Sequence, residues 1–254
     1  MGLRSVGKSD FEAAILETMN TELSPAVQIE TLEFRYKKQP DNKKHALNLR
    51  GLHIPEKKII ALIGKNGAGK STFVKCMCGL EKGEKAKMTA VTGTFSRKQR
   101  LNESYLVMQD VNHQLFSESV EGELLMSDPD LTKEEIAAYL ADFDLLEFAD
   151  DHPMSLSGGQ KQRVAVAAAC AAKKKYLYLD EPTSGLDYTQ MKNMSMAIGK
   201  IKENVSYVLI ITHDPEFILE CCDYVIEFEK GMMKQAYQLD LAGREKLYDF
   251  FNVE

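Results

Sequence analysis

The sequence predicts an α/β fold on a mainly parallel sheet, with a helical segment inserted between about residues 111 and 164. Three observations predict it. The runs Ile59–Ile63, Tyr176–Leu179 and Val205–Thr212 are almost continuously apolar, as parallel strands covered on both faces are. A glycine-rich segment, Gly64-Lys65-Asn66-Gly67-Ala68-Gly69-Lys70-Ser71-Thr72, follows the first run directly and opens a helical stretch. Between about 111 and 172 the pattern turns helical: Thr132-Lys133-Glu134-Glu135 is a capping box, followed by Ile136, Tyr139, Leu140 and Phe143 on one helical face.

The remaining elements follow in order. Residues 1–26 read as an N-terminal extension, with a weak helical pattern over Asp10–Met19 that Thr21–Pro25 breaks. Val27–Tyr36 and Ala46–Ile54 alternate as strands, and a helix is expected over Lys70–Leu80. Met88–Phe95 reads as one further strand, and Ser104–Met108 as a buried strand ending at Gln109. Thr189–Lys202 reads as a helix, Tyr224–Phe228 and Met232–Tyr237 as a hairpin, and Leu241–Phe251 as a short helix.

Composition narrows the function classes. A hydrophobic share of 44% over 254 residues is ample for one large core. The net charge of −6 speaks against a nucleic-acid surface, and Lys173-Lys174-Lys175 reads as a solvated approach to a strand. Cys76, Cys78, Cys170, Cys221 and Cys222 are odd in number and lack metal-ligand spacing, so reduced and mostly buried thiols are expected. The longest uncharged run, Val164–Ala172, is far too short for a bilayer. The expected location is therefore the cytosol, or a membrane's cytoplasmic face reached through a partner.

Several segments carry chemistry. In the spacing G-x-x-x-x-G-K-[ST], Gly64, Gly67 and Gly69 let the backbone wrap phosphate oxygens, and the amides opening the next helix favour an anion. Lys70 is placed to reach the outer phosphates, and Ser71 to hold Mg²⁺. Asp180 and Glu181 close an apolar strand, where open α/β sheets bind ligands; Asp180 suits the cation, and Glu181 a water attacking the terminal phosphate. Ser157-Gly158-Gly159-Gln160 precedes an alanine-rich helix and reads either as a plain cap or as a second anion site. Taken singly, His213 is a strand-end histidine and Tyr36 a core aromatic.

Together these segments resemble the ATP-binding cassette ATPases. The order runs from Walker A at Gly64–Thr72 (with Asn66 and Ala68 inside it) through the Q-loop at Gln109 and the signature at Leu156–Gln160. Walker B at Tyr176–Glu181, the D-loop at Ser184–Asp187 and the switch histidine His213 complete it. The resemblance covers about residues 27–240 and assigns 27–254 to one ATPase domain. It implies a RecA-like P-loop core with an antiparallel β subdomain, ATP and Mg²⁺ as cofactors, and Tyr36 stacked on adenine. It also implies that two cassettes pair head to tail, Thr72 and Lys70 of one facing Ser157, Gly158 and Gly159 of the other, with Asp187 at the seam. Gln109 would sense the cation and the attacking water, and His213 would orient Glu181. Gln109–Phe116 followed by Val120–Glu123 is similar to the energy-coupling factor branch, which powers uptake of vitamins and metal ions through separate transmembrane subunits. That branch usually has a proline where this chain has Val111. Leu115, Phe116 and Val120 are expected either in a groove for a membrane subunit's helix or in the helical core. The alternative class is a soluble cassette of the DNA-repair or translation type. Against it stand the lack of an inserted coiled coil and of a second ATPase unit. A module that holds ATP without turnover is disfavoured by Glu181 and His213.

Overall fold

The computed structural model describes residues 24–36 and 46–252. The helical pattern expected over Asp10–Met19 lies outside the described residues. Two sheets and a helical arm surround the core. Four antiparallel strands, β1 (Pro25–Phe34), β2 (Leu47–Pro55), β4 (Lys85–Ala90) and β5 (Gly93–Thr94), form one sheet in the order β2-β1-β4-β5. Six more, β3 (Lys58–Ile63), β6 (Ser104–Val107), β7 (Tyr176–Asp180), β8 (Tyr207–Ile211), β9 (Tyr224–Glu229) and β10 (Met232–Gln238), form the second in the order β10-β9-β3-β8-β7-β6. All neighbours in this sheet are parallel except β10, the return strand of the terminal hairpin.

The period of two along β7 and β8 sorts their side chains between two cores, while Ala61, Ile63 and Val225 of β3 and β9 join a third cluster with Ile218 and Leu247. Leu177, Leu179, Val208 and Ile210 face one way, toward α5 (Gly158–Ala171) and α6 (Tyr188–Ile201). Tyr178, Tyr207, Leu209 and Ile211 face the other, toward α1 (Lys70–Met77) and the antiparallel sheet. The continuous apolar runs follow from this, since neither face meets water. The helical arm comprises α3 (Val120–Ser127), α4 (Lys133–Asp142) and the start of α5. The capping boxes at Thr132/Glu135 and Ser157/Gln160 are both formed. Its core takes in Leu115, Val120, Leu124, Ile136, Leu140 and Phe143.

Some expectations need correction. Met88–Phe95 is two strands of a hairpin, because the chain turns at Val91–Thr92. Ser104–Met108 is an edge strand with only Val107 fully buried, since nothing pairs with its outer side among the described strands. Leu115 and Val120 belong to the core, whereas Phe116 is 73% exposed. Two short helices had not been expected. In α2 (Arg97–Glu103), Ser96 caps the helix and buried Arg100 pairs with Glu84 at 2.7 Å. In α7 (Pro215–Cys221), Asp214 accepts from Glu216 and Phe217 N–H, with Pro215 in the first turn. The last helix, α8, spans Leu241–Asn252. All five cysteines are free, four of them buried, and burial pushes the Cys76 and Cys170 thiols up to about 12, where they are unreactive. Among the described residues no helix is long and apolar enough to cross a membrane.

Candidate functional site

Four neighbouring strands of the parallel sheet deliver chemistry to one edge. From the C-terminal ends of β3, β8, β7 and β6, in that spatial order, come the glycine-rich loop, His213, the pair Asp180–Glu181, and Gln109. They meet around a cavity of about 1040 Å³. Its walls include Tyr36, the loop residues Asn66, Gly67, Ala68, Gly69, Lys70, Ser71 and Thr72, and Gln109, Asp180, Glu181 and His213. Three chain connections separate these segments in sequence, yet the Lys70 ammonium that bonds the Gly64 carbonyl lies 3.3 Å from His213 Nε2.

The loop is shaped by glycine where the backbone demands it. Gly64 has φ 147°, and a Cβ there would collide with the Phe228 carbonyl of β9. Gly69, at φ 101°, is the cap of α1, and its Cβ would press on the Ala46 carbonyl at 3.0 Å. The opening of α1, Gly69 to Thr72, lines the cavity, where a helix N-terminus favours an anion. Lys70 is 7% exposed and donates to the Gly64 carbonyl, with the Lys65 carbonyl at 3.4 Å and His213 Nε2 at 3.3 Å. Burial pulls its ammonium below the usual value, against the opposing pull of Glu181 and Asp180.

Both acids shift upward in pKa. The Ser71 hydroxyl donates to the Asp180 carboxylate, whose pKa burial nonetheless raises. Glu181 is raised as well, by burial first and by the Asp180 charge second. Its carboxylate accepts the His213 backbone N–H and lies 3.6 Å from His213 Nε2. Glu181 also sits at φ 52°, held there by its N–H to the Ile211 carbonyl (2.8 Å) and by Gln162 Nε2 on its carbonyl (3.4 Å). A non-glycine residue in that region costs of order 1–3 kcal/mol, and such strain concentrates at functional positions. Buried carboxylates with raised pKa values are under-compensated charges that a cation relieves.

The donor set fits Mg²⁺. A hydroxyl and a carboxylate in contact, with a glutamine in the same cavity, are hard oxygen ligands for an ion that fills its shell with phosphate oxygens and water. Among the described residues no group of three His, Cys, Asp or Glu side chains forms an all-protein cage.

The structure does not bring Ser157, Gly158, Gly159 and Asp187 to this cavity. They line a separate depression of about 680 Å³, together with Ser184, Gly185 and Gln190. Gln109 lines both. Gln160 completes the cap, its Oε1 accepting Ser157 N–H at 2.8 Å. Asp187 caps α6 in the same reciprocal manner with Gln190. The two loops are packed on each other, since a Cβ at Gly159 would sit 3.0 Å from the Gly185 carbonyl.

Sequence reasoning missed part of the cavity wall: Asn48, Lys230, Gly231 and Met232. The β9–β10 turn reaches the loop through Gly231 N–H on the Ala68 carbonyl (2.9 Å), and β2 reaches the turn through Asn48 N–H on the Gly231 carbonyl (2.8 Å). Asn48 Oδ1 is buried without a protein partner. Lys230-Gly231 is legible as a turn, but nothing in the sequence ties it to residue 68.

Comparison with known proteins decides the family. The profile of the ABC transporter family matches residues 47–184. This chain belongs to the ABC transporter ATP-binding family. Within it, the cassette is 40% identical over 188 residues to an ABC transporter ATP-binding protein of Treponema denticola, covering 74% of this chain but only 38% of that relative. The energy-coupling factor transporter ATP-binding protein EcfA1 of Mycoplasmopsis pulmonis is 33% identical over 239 residues, covering 90% of this chain and 89% of its own. Among solved structures, cbiO1 of Clostridium perfringens, part of the ABC transporter complex cbiONQ, superposes with a TM-score of 0.72 at 26% identity. That match covers 91% of this cassette and 95% of cbiO1. The fold class expected from the sequence, a P-loop core with parallel and antiparallel sheets and a helical insertion, is the one found.

Proposed function

We propose that this chain is the ATP-hydrolysing motor subunit of an ABC transporter, one of two cassettes that close on Mg·ATP and drive separate transmembrane subunits. The observation that carries the reading is the convergence of four adjacent strand ends on one cavity. In this reading the helix-opening amides and Lys70 hold the β- and γ-phosphates, Ser71 and Asp180 hold Mg²⁺, and Tyr36 stacks on adenine. When bound, the cation neutralises charge that develops on the transferred phosphoryl group. Gln109 positions the attacking water beside it. Glu181 accepts that water's proton, and its raised pKa brings its basicity toward neutral pH, which suits a general base. His213 fixes the Glu181 carboxylate from 3.6 Å and, in this reading, contacts the γ-phosphate once Lys70, now 3.3 Å from its Nε2, engages the nucleotide.

The placement of the signature residues supports a second cassette as partner. Ser157 and the amides of Gly158 and Gly159 open α5 as an anion site, yet they lie in their own depression. They complete a phosphate cage only for a nucleotide held by another copy or by a related cassette, with Asp187 at the seam. Hydrolysis removes the bridging charge, and the pair opens. The subunit is peripheral, on the cytoplasmic face of the membrane, and binds no nucleic acid. Exposed Phe116, on the loop that follows Gln109, is the apolar contact offered to a helix of a membrane subunit. The likeness to EcfA1 and cbiO1 favours energy-coupling-factor-type uptake of a vitamin or metal ion.

The test is phosphate release by the purified chain, alone and with the hydrophobic proteins that co-purify with it from solubilised membranes. The reading expects Mg²⁺-dependent release that rises with protein concentration and with those subunits. A folded chain that releases no phosphate in either setting contradicts it.

A further inference from the structure

The short segment between Gln109 and α3 is pinned in a manner that its sequence alone does not explain. The Gln114 side-chain amide reaches back to the end of β6. Its Oε1 accepts the Met108 N–H at 2.6 Å, and its Nε2 donates to the Leu106 carbonyl at 2.6 Å. Leu106 and Met108 are two residues apart, so these backbone groups point to the same edge of the strand. Taking a carbonyl from one residue and an N–H from the next but one is what a parallel neighbour strand does. One side chain thus replaces a strand at the sheet's free edge. It also closes the base of the loop that carries Gln109, which spans only one 3₁₀ turn, Val111–His113, before returning to Gln114.

We propose that Gln114 is a positioning residue for Gln109, clamping the end of β6 so that the Gln109 side chain is held over the phosphate cavity. This rests on the reading of Gln109 given above. A second pin lies further on. The Glu123 carboxylate, on a residue 5% exposed, accepts both Phe116 and Ser117 N–H at 2.5 Å. The backbone from Leu106 to Ser117 is therefore tied to the sheet at one end and to α3 at the other. Exposed Phe116 and the cavity-lining Gln109 sit on the same tethered run. Displacing one displaces the other, because the clamp removes the slack that a free loop would have.

The chemistry of the clamp sets its test. It needs a donor and an acceptor on one planar group. In Gln114→Leu both are lost. In Gln114→Glu the ionised carboxylate still accepts from Met108 but repels the Leu106 carbonyl, whereas the protonated acid restores both bonds. The expected results for Gln114→Leu are a kcat lowered about tenfold or more with the ATP KM changed less than about twofold. For Gln114→Glu, turnover relative to wild type at the same pH should climb as pH falls from about 8 to about 5, through the range where a carboxylate facing a carbonyl gains its proton. Normalising to wild type at each pH removes effects common to both proteins, including any from the nearby charged groups of Asp110, His113 and Glu123. Hydrogen exchange at the Met108 amide reads the clamp without turnover, and protection there should fall in Gln114→Leu. A chain without ATPase activity defeats the proposed function, and Met108 exchange then still decides the clamp. Unchanged Met108 protection overturns the proposal. So do wild-type turnover in Gln114→Leu and, if that variant does not fold, a pH-independent ratio in Gln114→Glu.

Discussion

Replacing Glu181 by glutamine separates a proton acceptor from a mere structural prop. The side chain has two jobs in the structure. It pairs with His213 at 3.6 Å, and it faces the cavity with a pKa raised by burial and by Asp180. The pair with His213 is partly solvated, the two side chains being 21% and 46% exposed, so losing it costs under about 1 kcal/mol. On rate that is no more than about fivefold. Glutamine keeps the shape and still accepts the His213 backbone N–H. What it cannot do is take a proton, and removing a general base lowers turnover about 10²–10⁴-fold, or about 3–5 kcal/mol in the barrier. The two accounts differ by more than an order of magnitude. The assay is steady-state phosphate release beside ATP retention on a sizing column. The expected outcome is a chain that retains ATP in the paired form and turns over at least about 10²-fold more slowly. Turnover within about fivefold of wild type refutes the base assignment.

Further predictions concern the rest of the cavity. Lys70→Ala removes a charge-assisted contact to phosphate and should weaken Mg·ATP binding by about 1.5–3 kcal/mol, measured by calorimetry. Tyr36→Ala should weaken ATP binding by about 1–3 kcal/mol through lost stacking. Tyr36→Phe, which loses only the 3.0 Å hydrogen bond to Thr72, should change it little. Asp180 has a folded pKa above its ordinary 3.8, so its stability contribution is fully present below about 3.8 and is lost as pH rises through the higher folded value. Asp180→Asn should therefore raise the melting temperature of the nucleotide-free chain at neutral pH, with the gain vanishing toward acid, while Mg²⁺-dependent ATP binding is lost.

Much of this cavity was legible in the chain because its parts are local. Gly64–Thr72 shapes its own backbone, and Asp180–Glu181 announces a strand end by following Tyr176–Leu179. The capping box read at Thr132 forms as expected, and Ser157, read as a plain cap or an anion site, forms a capping box of its own, since each needs only four consecutive residues. What escaped depended on contacts made at a distance. Asn48 and the Lys230–Met232 turn enter the wall because β2 and β10 fold over the loop, and neither carries a local signature of that. The α2 helix, Arg97–Glu103, is polar except for Leu101 and holds its place through Arg100 on Glu84, so it lacked an apolar stripe to be seen by. The α7 helix had both an Asp214 cap and Pro215 in the first turn, a signal that was present but short. Leu115 and Phe116 are adjacent and equally apolar, yet one is buried and the other exposed, because Glu123 holds the turn that separates them.

On this reading one chain holds only half of the ATP site. The most direct measurement compares ATP binding with ATP turnover in Ser157→Arg, whose side chain enters the depression apart from the phosphate cavity. The account predicts that the dilute single chain binds ATP within about twofold of wild type, as uncoupled sites should, while phosphate release at high concentration is lost. Wild-type turnover in that variant would contradict a shared site.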